Sequence, residues 1–122
     1  MIEVTIREAA DEFVRVLAAD PVVTAFKKAK GSMEGDETLA ALRDQHAQMA
    51  EQFQRKQVDG TLAQEDIARL RTLYNQVTTH PANLRFVEAR DDALELLRNC
   101  NEAMSNLLGF DFAANAAPAA SC

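Results

Sequence analysis

The chain has no tryptophan, one tyrosine, four glycines, three prolines and two cysteines in 122 residues. Each scarcity excludes something. Two thiols, Cys100 and Cys122, are too few for the dense disulfide framework of a small secreted domain. They are also too few to hold a four-thiolate iron–sulfur cluster without ligands from a second chain. No run approaches the roughly 20 apolar residues that a membrane-crossing helix needs. The opening MIEVTIREAA carries acid early and no apolar run, so a secretory signal is not expected. There is no basic excess either. The net charge is −6, against the basic face expected of a module that grips a nucleic acid backbone on its own. A soluble, cytoplasmic protein with no direct membrane insertion is the expectation.

Apolar residues make up 48% of the chain, too many for a disordered one. Most of them are Ala, Leu and Val. Ala and Leu lose little side-chain freedom in a helix. No stretch alternates with a period of two, whereas apolar residues recur every three or four positions almost throughout. Thr5 followed by Glu8 is a capping box, and Ile6, Ala9, Phe13, Val16 and Leu17 predict a first helix over about 6–19. Asp20–Pro21 combines a cap with a residue tolerated at a first helical position. It predicts a short second helix to about Lys30, with Val22, Val23 and Phe26 apolar and the segment GSMEG as the loop that ends it.

Asp36 caps a third helix to about Val58, roughly 33 Å long. Its thin stripe, Leu39, Leu42, Met49 and Phe53, suits a hairpin or coiled-coil contact better than a broad core. Asp59–Gly60 is a turn, and Thr61 with Gln64 repeats the capping-box pattern. A fourth helix over about 62–78 follows, with Ile67, Leu70, Tyr74 and Val77 apolar. The short connection folds it back on the third as an antiparallel hairpin. His80–Pro81 then starts a fifth and longest helix, to Leu108. Phe86, Ala93, Leu97, Cys100, Met104 and Leu107 follow near-heptad steps there, widened by Leu94, Leu96 and Leu108. Gly109 suits a left-handed C-cap. Phe110 and Phe112 are placed to clasp the bundle end. The reading is all-α: a helical hairpin or bundle of about five helices in one domain, 1–112, followed by a flexible tail, 113–122.

Chemistry is hard to find in this pattern. His46 lies within the third helix and His80 at the start of the fifth, neither at metal-box spacing. Glu88, Asp92 and Glu95 share a helix face, yet no Glu-x-x-His partner motif is present. Phosphate loop and nucleophile elbow are both missing. No catalytic or metal site is predicted. Cys100 sits at an apolar position and reads as a small buried hydrophobe. Cys122 is a terminal thiol, either incidental or able to ligate a metal or cluster or to pair with another chain. The candidate interface is Leu39, Leu42, Met49, Phe53, Leu97 and Met104. Lys27, Lys28 and Lys30 form a small basic patch, a solvated face or, in the alternative, a contact for RNA.

FKKAK at 26–30, LAALRDQHAQMAEQFQRKQVDG, TLAQEDIARLRTLYNQVTTHP and LLRNCNEAMSNLLGFDF follow one another in an order and spacing that resemble the YlbF/YmcA family of small bacterial helical regulators. The likeness spans about 9–112. Cys100–Asn101 stands where the family pattern has Ile-Asn, so Cys100 looks like a substituted core position. The resemblance implies a non-enzymatic regulator or adaptor that forms homo-dimers or larger homo-oligomers. It also implies a hetero-complex with related helical regulators and an endoribonuclease, linked to RNA processing, competence, sporulation and biofilm formation. An iron–sulfur cluster is implied in such a complex and none in the isolated chain, with Cys122 as the residue similar to the family's C-terminal cysteines. A redox sensor completed on assembly is thus one alternative function, and an RNA-contacting module another.

Overall fold

The computed structural model describes residues 2–116. They form six helices and no strand: α1 (Ile2–Ala18), α2 (Pro21–Glu34), α3 (Glu37–Asp59), α4 (Gln64–Thr78), α5 (Pro81–Leu108) and α6 (Phe112–Ala116). The fold is all-α with a long C-terminal helix, as the periodicity predicts.

The helix boundaries follow local chemistry. Asp20 accepts the Val22 N–H at 2.8 Å and starts α2. Asp36 accepts the Leu39 N–H at 2.8 Å and starts α3. Gly60, at φ 72°, closes α3 in the left-handed conformation that glycine tolerates. His80 starts α5: its Nδ1 accepts the Ala82 N–H at 3.1 Å. Gly109, at φ 82°, ends that helix.

Four boundaries differ from the sequence-based expectation. α1 begins at Ile2 and runs through the Thr5–Glu8 pair. Ile2 and Ile6 are one turn apart on the same stripe, and Glu3 suits the positive end of the helix dipole. α2 passes Gly31 and ends at Glu34. A glycine costs a helix only about 1 kcal/mol, and neither Gly31 nor Gly35 takes the left-handed conformation that stops one. α4 starts at Gln64 with Ala63 as its cap. Ala63 has no side-chain oxygen, so Asp66 supplies the bond, accepting the Ala63 N–H at 3.0 Å. Finally, 113–116 belong to α6. The Asp111 carboxylate accepts the Ala114 N–H at 3.1 Å, which is enough to start one turn there.

The chain divides into two compact units. Residues 25–88 form the hairpin unit, containing α3, α4, the end of α2 and the start of α5. Residues up to 24 together with those from 89 onward form the terminal unit, containing α1, the rest of α5 and α6. The buried residues among those described, Leu39, Ala82 and Asp66, all belong to the hairpin unit. Leu39 is completely shielded from solvent. Around the same unit, the Phe26 and Phe86 rings lie 5.6 Å apart and tilted.

Leu39 is the largest fully buried side chain. Leu39→Ala is expected to lower unfolding stability by about 2–5 kcal/mol. Leu97→Ala, at a position 47% exposed, is expected to cost far less in dilute solution. Urea denaturation followed by circular dichroism checks both, and equal losses would contradict the assignment.

Candidate functional site: exposed apolar helices

The hairpin is fixed at its turn by Asp66. Besides the Ala63 N–H, this carboxylate binds Lys56 Nζ of α3 at 2.7 Å. One side chain therefore ties the end of α3 to the start of α4. The Lys56 ammonium, followed by the Ala63 N–H, holds the Asp66 carboxyl below the usual carboxylate range. At the other end of the hairpin, Asp36 Oδ1 lies 3.6 Å from His80 Nε2. The residues that cap α3 and α5 are thus neighbours.

The expected interface residues of α3 differ in burial. Leu39 is wholly buried and has no surface left to offer a partner. Leu42, Met49 and Phe53 are half-buried. Met49 lines a groove of about 340 Å³ with Gln45, Gln48, Gln52 and Leu73. Phe53 lines another of about 300 Å³ with His46, Ile67, Leu70, Arg71 and Tyr74. The His46 and Tyr74 rings there are 6.1 Å apart. Leu97, exposed, and Met104, half-buried, lie on α5 in the terminal unit.

That unit holds most of the exposed apolar surface, where Leu97 was expected and the α1 residues were not. Of fifteen large hydrophobic residues that are exposed, twelve belong to it. Six are on α1, which has no buried residue at all. Leu94, Leu97, Leu107 and Leu108 are on α5, with Leu107 88% exposed. Phe110 and Phe112 complete the set. The signal was present in the spacing. Ile2, Ile6, Ala9, Phe13 and Val16 are separated by steps of four and three, as are Ala93, Leu97, Cys100, Met104 and Leu107. Both are seams of the kind that pack against other helices. On α5, Leu94, Leu96 and Leu108 widen the apolar stripe.

The terminal unit is also organised at its end. Asn101 Oδ1 accepts the Ala113 N–H at 2.9 Å, and Ser105 Oγ accepts the Phe112 N–H at 2.9 Å. Two side chains of α5 thereby hold the first amides of α6. The aromatic clasp expected of Phe110 and Phe112 is only partial, since they remain 52% and 40% exposed.

Charge divides as sharply as burial does. The hairpin unit has nine basic and nine acidic side chains, and the terminal unit four basic and ten acidic. The whole net charge of −6 therefore resides on the unit that exposes the apolar seams. The basic patch belongs to the balanced unit. Lys27, Lys28 and Lys30 are exposed on α2, and Glu34 lies 4.0 Å from Lys30. Cys100 is half-buried on α5. Cys122, with the rest of 117–122, lies outside the described residues. Among the described residues no three His, Cys, Asp or Glu side chains come together as metal ligands.

The arrangement defines an all-helical protein in which α1 and α5 expose large apolar side chains. Residues 6–108 match the family model described as control of competence regulator ComK, YlbF/YmcA, and the chain belongs to that family. No curated protein and no solved structure matches the chain. No helix among the described residues is long and apolar enough to cross a membrane.

The Asp66 contacts set a pH dependence. Its carboxyl titrates lower in the folded chain than at the unfolded value of about 4. The stabilisation is therefore complete above that value and disappears as pH falls through the folded one. Urea midpoints measured from about pH 6 to about pH 2 should fall less steeply for Asp66→Asn than for the parent. Parallel curves would show that Asp66 does not anchor the hairpin.

Proposed function

We propose that this protein is a non-catalytic regulatory adaptor that acts in the cytoplasm by self-association and by contacts with other proteins. The observation that supports this reading most directly is the terminal unit's apolar face. Apolar surface gains about 25 cal/mol for each Å² removed from water. Large apolar side chains exposed in this number on α1 and α5 mark an interaction site or an aggregation liability. Two copies related by a two-fold axis, each contributing α1 and the broad seam of α5, make a four-helix arrangement that covers both seams. Membership of a family described by control of a competence regulator supports the regulatory role. In this reading the chain joins related helical regulators and an endoribonuclease, and its output is RNA processing tied to competence, sporulation and biofilm formation.

Sedimentation at micromolar concentration should show a dimer or larger species. Two units that each carry a charge of −6 come together in that assembly, so it should strengthen as NaCl rises from about 0.1 M to about 1 M and the Debye length shrinks from about 10 Å to about 3 Å. Phe13→Glu or Leu97→Glu should shift the species to monomer. Val58→Glu should not, since Val58 is exposed on the hairpin unit. A monomer under all conditions would contradict self-association.

A further inference from the structure

The groove that holds Tyr74 is mainly apolar and contains an unpaired cation, and we infer that the Phe110–Asp111–Phe112 segment of a second copy of this chain docks there. The inference rests on the self-association reading, because it adds a contact to the same assembly beside the α1 and α5 seams. His46, Phe53, Ile67, Leu70, Arg71 and Tyr74 line the groove, and Arg71 is the only Lys, Arg, Asp or Glu among them. Arg71 is exposed and has no ion pair among the described residues. The charges beside the groove share its sign. No residue three or four places from His46, Phe53, Ile67 or Tyr74 is acidic, while Arg43, Lys56 and Arg71 are basic. Residues at that spacing lie on one helix face. Lys56 is bound to Asp66, whereas Arg43 and Arg71 have no carboxylate partner among the described residues. An occupant of this groove therefore meets apolar surface and positive charge together.

The chain presents the complementary chemistry in three consecutive residues. Asp111 stands between Phe110 and Phe112, which are 52% and 40% exposed. The segment is held in place before any partner arrives: Ser105 Oγ accepts the Phe112 N–H and Asn101 Oδ1 the Ala113 N–H, each at 2.9 Å. Such ordering lowers the entropic cost of docking. One Asp111 oxygen accepts the Ala114 N–H, which leaves the other for a cation. A carboxylate on a guanidinium makes a charge-assisted bond, and aromatic rings pair favourably with rings such as Phe53 and Tyr74. The second groove between α3 and α4 lacks this match, since Gln and Thr make up most of its lining and its cation, Arg69, is already paired with Glu65. A stable interface buries about 1,200 Å² or more, beyond what three residues supply. The docked segment therefore adds to the seams and does not replace them.

Tyr74 is the chain's only tyrosine, and there is no tryptophan, so intrinsic emission reports on this groove. The test follows acrylamide quenching of the full chain as its concentration rises, with sedimentation of the same samples. Quenching should weaken as dimers form. Arg71→Glu and Asp111→Arg, each alone, bring like charges together and should lose most of that protection while remaining dimers. Mixing the two should restore protection above that of either alone, because each copy then offers the other an opposite charge at both contacts. Asp111→Asn keeps an oxygen for the Ala114 N–H and should lose an intermediate amount, which keeps the test valid where the arginine variant loses α6. Arg69→Glu, in the other groove, should leave protection unchanged. Dimers with Tyr74 as quenchable as in dilute monomer, or a mixture no better protected than its components, would overturn the inference and leave self-association standing. Phe13→Glu, a monomer on the self-association reading, should leave Tyr74 open to quenching. Protection in that monomer would place the segment in its own chain's groove and overturn the second copy as occupant. A parent chain that stays monomeric throughout would remove both readings.

Discussion

Burial of the helical seams is the constraint on which the rest of this protein turns, and the two units meet it differently. In the hairpin unit α3 and α4 pack against each other, Leu39 is completely shielded, and Ala82 and Asp66 are buried. Local chemistry reinforces this packing. Asp66 joins the two helices at the turn, and Asp36 and His80 cap α3 and α5 within 3.6 Å of each other. In the terminal unit no described residue is buried. Helical stability in a folded protein comes mainly from packing an amphipathic face, with propensity a smaller contribution. α1 and the end of α5 have such faces without an internal core to receive them.

Charge acts on the same division. A balanced hairpin unit has little long-range preference among partners. A terminal unit with a charge of −6 repels its own kind at distance and attracts cations, while its leucines and isoleucines favour any apolar helix at contact.

Much of the fold was legible in the sequence because helix ends are written in short-range chemistry. Asp20–Pro21, Asp36, Asp59–Gly60, His80–Pro81 and Gly109 each punctuate the chain where a cap or turn is found. Where the reading failed, a second effect overrode the local signal. The apolar stripe carried α1 back through Thr5, and α2 continued past Gly31 because no left-handed residue stopped it. The candidate site was less legible. Periodicity shows that a helix has an apolar face; it does not show whether the same chain covers it. Leu39 and Leu97 look alike in sequence, yet one is fully buried and the other 47% exposed. The acidity of the terminal unit was hidden for a related reason. Its charges come from two distant parts of the chain, and they add up only once α1 and the end of α5 are assigned to one unit.

Hydrogen exchange at each backbone amide, measured over a range of protein concentrations, tests most directly whether the terminal unit depends on another chain for its core. Protection in α1 and the end of α5 should rise with concentration, while protection in α3 and α4 stays constant. Strong, concentration-independent protection of α1 in a dilute monomer would show that its helices are complete without a partner, and the account would fail.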